Sequence, residues 1–193
     1  LEKSGIDAIA GDSVIMGQAL QAGTVQVTAI QASCSAGIPM STPVITINKV
    51  CLSGLNAIYL AAQMINAGDA EVVVAGGMES MTNAPYLLPK ARGGYRYGNA
   101  ELLDVIQNDG LYCALEKELM GEGTERYTAT ADIDRNAQDL VASECHRRAS
   151  EGIASGACRE EIIPIRIPQR RGDPVLFEND EGVRESTDLE SLG

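Results

Sequence analysis

The feature that most constrains this chain is the alternation, over its first eighty residues, of short β-branched runs with longer small-residue or apolar segments. Ser13-Val14-Ile15-Met16 reads as a short buried strand, and Thr24 to Ala36 as a small-residue helix that stops at Gly37, with Pro39 beyond. Val44-Ile45-Thr46-Ile47 follows Pro43 as a second strand. Cys51 to Asn66 is then a long apolar helix ending at Gly68, and Glu71-Val72-Val73-Val74-Ala75 a third strand running into Gly76-Gly77. Strands alternating with helices imply parallel pairing through right-handed crossovers, the α/β class. Residues 1–6 read as the tail of a helix closed by Gly5, so that the chain opens in mid-element.

After Met81 the alternation gives way to Pro85, Pro89, a glycine-rich basic stretch from Lys90 to Arg96 and irregular acidic helix candidates. This segment reads as an excursion from the sheet. Asp139 to Ala149 has helical character, and Ile162 to Pro168 reads as an edge strand, because two prolines would spoil a central one. From Gln169 onward the chain reads as charged loop.

Composition narrows the function. A formal net charge of -12 is the wrong sign for nucleic-acid binding, which needs a clustered basic face. The five cysteines, Cys34, Cys51, Cys113, Cys145 and Cys158, form no C-x-x-C pair and follow no secretory leader, so free thiols in a reducing, cytoplasmic compartment are expected. The strongly apolar runs are read as strand-sized, short of the ~20 residues of a membrane helix, and no membrane role is expected. With one Phe and no Trp, the core must come from aliphatic residues, which suits parallel strands and closely packed helices.

The segment beginning at Cys51 carries the chemistry. On a 3.6-residue period Leu55, Ile58, Ala62 and Ile65 share one face, and Leu52, Ala57, Leu60, Ala61 and Met64 cover most of the rest, which predicts a helix buried nearly all round. Gly54 in its first turn costs ~1 kcal/mol of helix propensity and permits close approach of another backbone. A cysteine in such a first turn meets the positive end of the helix dipole and unpaired N–H groups, which favour thiolate and can hold an oxyanion. That is the equipment of acyl transfer through a thioester. These residues alone leave both readings of Cys51 open: a poised nucleophile, or the small buried hydrophobe that a single cysteine more commonly is.

Ile47-Asn48-Lys49-Val50-Cys51-Leu52-Ser53-Gly54-Leu55 closely resembles the nucleophile motif of thiolases, and Val72-Val73-Val74-Ala75-Gly76-Gly77-Met78-Glu79-Ser80-Met81 resembles the strand and turn that follow it there. Asn83-Ala84-Pro85, Arg92-Gly93-Gly94, Asp109-Gly110-Leu111, Met120-Gly121 and Ile167 to Pro174 resemble landmarks of that family's loop domain. The resemblance implies a layered α-β-α fold with a parallel-rich sheet and buried central helix, residues 1–81 being part of the N-terminal α/β domain and 82–193 an incomplete inserted loop domain. It implies acyl transfer between acyl-CoA thioesters through Cys51, with Claisen condensation or its reverse, acetyl-CoA C-acetyltransferase first among the activities. It also implies Met120 lining an acyl pocket, a homodimer or homotetramer, and no cofactor or metal beyond the coenzyme A thioester substrates.

The chain departs from the family pattern in places. Val27-Thr28-Ala29-Ile30-Gln31 stands where the family often has Asn-Pro-Ala-Arg-Gln, Leu119 where many members have histidine, and residues 122–134 fit poorly. The Asn-Glu-Ala-Phe and Gly-His-Pro segments and the second active-site cysteine of the family are absent. A fragment lacking the C-terminal half, covering about half of a thiolase and incomplete as a catalyst, is therefore expected. The alternatives are a degenerate thiolase-like protein without turnover and a related ketoacyl-synthase-type enzyme. The single histidine, His146, is read as a solvated helix-surface residue, and the basic Lys90 to Arg96 and Arg170-Arg171 as solvated faces with phosphate or subunit contact as the alternative.

Overall fold

A computed structural model describes residues 1–193, apart from the side chain of Glu2. The chain divides into two compact units, Leu1–Gly123 and Thr124–Gly193. The 81/82 position lies inside the first unit, where Ile106, Gly110 and Leu111 line the same cavity as the sheet ends.

The first unit is built on three parallel strands, β1 (Ser13–Gly17), β2 (Val44–Ile47) and β3 (Val73–Gly77), in the order β2-β1-β3. Val14 lies opposite both Val44 and Val74, and Gly17 opposite both Ile47 and Gly77. Paired on both edges, β1 is the most buried strand, with Val14 and Ile15 almost fully enclosed. β3 begins two residues later than the strand expected from Glu71. Glu71 and Val72 instead donate their N–H groups to the Asp12 carboxylate at 2.8 and 3.0 Å, which ties the entry of β3 to that of β1. Those two bonds, Val72 first, hold the Asp12 pKa below the usual carboxylate value.

Two helices pack on this sheet. α1 (Thr28–Ser35) is shorter than the helix expected over 24–36, because Val25 and Val27 adopt positive φ of 69° and 36° and end helical continuity there. Its Ala29 N–H is taken by Thr46 Oγ1 of β2 at 3.0 Å, since Val27 has no capping side chain. α2 (Ser53–Ala67) closes at Gly68, whose φ of 80° suits a glycine C-cap. Ala57 and Ala61 press against Ile15, with Ile47, Leu60, Met64, Val73 and Ala75 around them.

The expectation that α2 is buried all round does not hold for this chain. Small residues face the sheet, while the Leu55, Ile58, Ile65 stripe is 64%, 53% and 45% exposed. The reading of the apolar runs as strand-sized also fails here: Val50–Ala67 is long and apolar enough by length and composition to cross a membrane, with a mean hydropathy of 1.3 and 17% of it buried. One side of that segment is nevertheless a core face of the α/β layer.

The rest of the first unit holds two short antiparallel pairs, β4 (Tyr86–Leu87) with β5 (Leu103–Asp104) and β6 (Tyr112–Cys113) with β7 (Glu118–Leu119). A single wide helical turn, Ile106–Leu111, lies between them. The division between the units falls within α3 (Met120–Thr130).

The second unit is dominated by α4 (Arg135–Ser155), which extends beyond the expected 139–149 at both ends. Asp134 caps its start by accepting from Ala137 N–H at 2.7 Å, and Gly156, with φ 72°, closes it. The edge strand expected over Ile162 to Pro168 is shorter, β8 (Ile165–Ile167), paired antiparallel with β9 (Val175–Phe177). Each strand of this hairpin is an edge, so both prolines are tolerated. β9 and the short α5 (Leu189–Leu192) occupy a stretch read from the sequence as loop.

Candidate active site

The C-terminal ends of β1 and β3 and the N-terminal end of α2 meet through glycine. A Cβ added to Gly17 would lie 2.5 Å from both Gly54 N and Ser53 O, and one on Gly77 would lie 3.2 Å from Gly54 Cα. The strand ends therefore touch the backbone of the helix directly, which no side-chain-bearing residue at position 17 allows. Gly54 itself has more room, since its added Cβ would meet Gly77 Cα at an ordinary 3.6 Å.

Cys51 sits just before that helix end. It lies outside the first turn where the sequence places it: the helix starts at Ser53, its N-cap is Leu52, and Cys51 precedes the cap. The turn delivering it is tightly specified. Val50 has φ 49°, a left-handed conformation that a β-branched residue adopts only under strong surrounding constraint. Asn48 Oδ1 accepts the Val50 N–H at 2.8 Å. The nearly buried Ser53 hydroxyl donates to the Val50 carbonyl at 2.6 Å and accepts the Lys49 N–H at 2.8 Å. Neither the Cys51 nor the Gly54 backbone N–H has an acceptor among the described residues. Unpaired N–H groups at the start of a helix can hold an oxyanion.

Cys51 is exposed and lines a cavity of about 440 Å3. Gly17 to Leu20 form one wall, Gly77 to Glu79 with Met81 another, and Ile106, Gly110 and Leu111 a third. The lining is mainly apolar, with Gln18, Ser53 and Glu79 as polar exceptions beside Cys51. Glu79 accepts the consecutive N–H groups of Ala19, at 2.7 Å, and Leu20, at 3.3 Å, and so fixes the loop after β1. The Ala19 carbonyl accepts from Asn48 Nδ2 at 2.9 Å. Asn48, Ser53 and Glu79 escaped the sequence reading as site residues. All three lie within the motifs that pointed to Cys51, which was the available signal.

Met120 does not line this cavity. It borders a neighbouring one of about 420 Å3 that shares Ile106 and Leu111 with the first, and its side chain is half exposed. His146, on α4, is part-buried rather than solvated, and its Nδ1 accepts the Arg184 N–H at 3.2 Å. Lys90, Arg92, Arg96, Arg170 and Arg171 are exposed. Among the described residues no group of three or more His, Cys, Asp or Glu side chains could hold a metal ion.

An all-parallel sheet whose strand ends and central helix surround an accessible cysteine is the class these observations define. The chain belongs to the thiolase family: residues 1–193 match the family described as "Thiolase, N-terminal domain". It is similar to a probable acetyl-CoA acetyltransferase of Mycolicibacterium smegmatis, at 46% identity over 100% of this chain and 50% of that protein. An acetyl-CoA acetyltransferase of Pseudomonas aeruginosa is likewise 46% identical, over 100% of this chain and 49% of its own length. The crystal structure of the Bacillus anthracis acetyl-CoA acetyltransferase superposes with a TM-score of 0.92 at 36% identity, over 98% of this chain and 48% of that one. The chain thus spans about half the length of the relatives it matches.

Proposed function

We propose that the native-length protein carrying this chain is an acyl-CoA acyltransferase, acting as an acetyl-CoA C-acetyltransferase, with Cys51 as its nucleophile. The observation that carries this reading is the seating of Cys51, exposed at a cavity and next to unpaired N–H groups at the start of α2. In the first half-reaction the Cys51 thiolate adds to the thioester carbonyl of acetyl-CoA. The carbonyl oxygen takes negative charge beside those N–H groups, and the carbon–sulfur bond to coenzyme A breaks, leaving acetyl-Cys51 and the coenzyme A thiolate. In the second, the enolate of another acetyl-CoA attacks acetyl-Cys51, forming a carbon–carbon bond and releasing the thiolate with a 3-ketoacyl-CoA as product. Run backwards, the same steps cleave a 3-ketoacyl-CoA.

We assign the proton transfers of this scheme to groups outside the lining of this cavity, which contains no histidine. The pocket bordered by Met120 is assigned to the acyl chain, the assembly to a homodimer or homotetramer, and the location to the cytoplasm. The scheme as written calls on no cofactor.

The test is incubation of the native-length protein with acetyl-CoA and peptide mass spectrometry. Acetylation is expected on Cys51 and on none of the other four cysteines. Cys51→Ser should lower acyl transfer by on the order of a thousandfold. Absence of the Cys51 adduct, or full activity in Cys51→Ser, would overturn the reading.

A further inference from the structure

We propose that Asn48 is a positioning residue for the oxyanion site beside Cys51, an inference that rests on the nucleophile reading above. Its amide group joins the two backbone segments that shape the cavity. Nδ2 donates to the carbonyl of Ala19 at 2.9 Å, and Oδ1 accepts the N–H of Val50 at 2.8 Å. Both segments are also held from their far sides. Glu79 takes the Ala19 N–H at 2.7 Å, and the Ser53 hydroxyl takes the Val50 carbonyl at 2.6 Å. Ala19 and Val50 therefore each have their N–H and their C=O engaged by side chains, and Asn48 is the one residue engaged with both.

The consequence falls on the peptide that follows Val50. With φ at 49°, Val50 holds a conformation that relaxes toward negative φ once its restraints are removed. That rotation re-aims the Cys51 N–H, a donor free to meet a developing oxyanion, while the sulfur stays accessible on the same exposed loop. Asn48 thus acts on carbonyl chemistry at Cys51 and not on the exposure of the thiol. An acyl transfer passes through an oxyanion and feels the loss; alkylation by iodoacetamide, a displacement at saturated carbon, does not.

The experiment measures both reactions on Cys51 of the native-length protein by peptide mass spectrometry, with far-ultraviolet circular dichroism as a check of fold. Asn48→Ala is expected to slow acetylation by acetyl-CoA about tenfold, the equivalent of one hydrogen bond, with iodoacetamide labelling unchanged. Asn48→Ser is uncharged, can still accept the Val50 N–H and loses the bond to Ala19, so acetylation is expected to slow about threefold with iodoacetamide labelling unchanged. It carries the test if the alanine variant does not fold. Equal acetylation in Asn48→Ala and wild type, equal acetylation in Asn48→Ser and wild type where the alanine variant does not fold, or a parallel fall of both reactions would each overturn the role of Asn48. A wild-type protein alkylated at Cys51 but never acetylated there would instead overturn the nucleophile reading, and this inference with it.

Discussion

Gly17 decides how closely α2 approaches the sheet. With its hypothetical Cβ 2.5 Å from two backbone atoms of α2, no rotamer change can relieve the clash, because neither atom belongs to a movable side chain. Gly17→Ala is therefore expected to destabilise the fold by about 3 kcal/mol or more, as a displaced helix end rather than a filled gap. Gly54→Ala meets only ordinary contacts and gains helix propensity, so its stability should hold or rise by up to ~1 kcal/mol. Paired thermal or urea melts separate the two, and equal losses would mean that the strand ends do not set this spacing. The sequence pointed at Gly54 because a glycine inside a helix looks costly. The stricter glycine ends a strand, where its isolated position gave no warning. The same limit applied around Cys51: the motif located the sulfur, but nothing in a valine announces a positive φ, and Ala19, which Asn48 of that turn holds, lies 29 residues away.

At the scale of elements, legibility followed the origin of each element's stability. β2 was read correctly to the residue because Pro43 and a β-branched run bound it locally. β9 and α5 were missed, since a three-residue strand and a four-residue helix exist through a pairing partner and a capping box. α4 shows a third source, its own surface charges. Glu144 accepts from Arg147 at 2.6 and 2.7 Å and from Arg148 at 2.6 Å, and Arg147 also reaches Glu151. The two arginines, Arg147 first, hold the Glu144 pKa at about 2 against an ordinary 4.5. A carboxylate depressed in the folded state contributes stability that is whole above pH 4.5 and is lost as the pH falls through about 2. Glu144→Gln cannot ionise, so its melting temperature should fall less steeply than wild type between those two pH values. Parallel curves would show that these exposed pairs contribute nothing measurable.

The unburied face of α2 belongs to the whole molecule. Its small residues are consumed by the sheet, while Leu55, Ile58 and Ile65 form an apolar stripe at 64%, 53% and 45% exposure, more than a solvated helix face carries without a partner. The chain spans about half the length of its relatives, so the setting of this face is to be compared between the 193-residue polypeptide and a protein of the relatives' length. Expressed alone, the polypeptide should bind an apolar dye and self-associate. The double variant Leu55→Gln with Ile58→Gln should suppress both without lowering its melting temperature, because the two side chains touch little core. In the native-length protein the sign should reverse: if the stripe is covered there, removing two buried aliphatic side chains costs about 3 kcal/mol or more. Light scattering and dye binding on the polypeptide, set beside denaturant melts of both lengths, read the contrast. A double variant neutral at both lengths would mean that the stripe stays solvent-facing, and the periodic apolar pattern of Cys51 to Asn66 would then need a different cause.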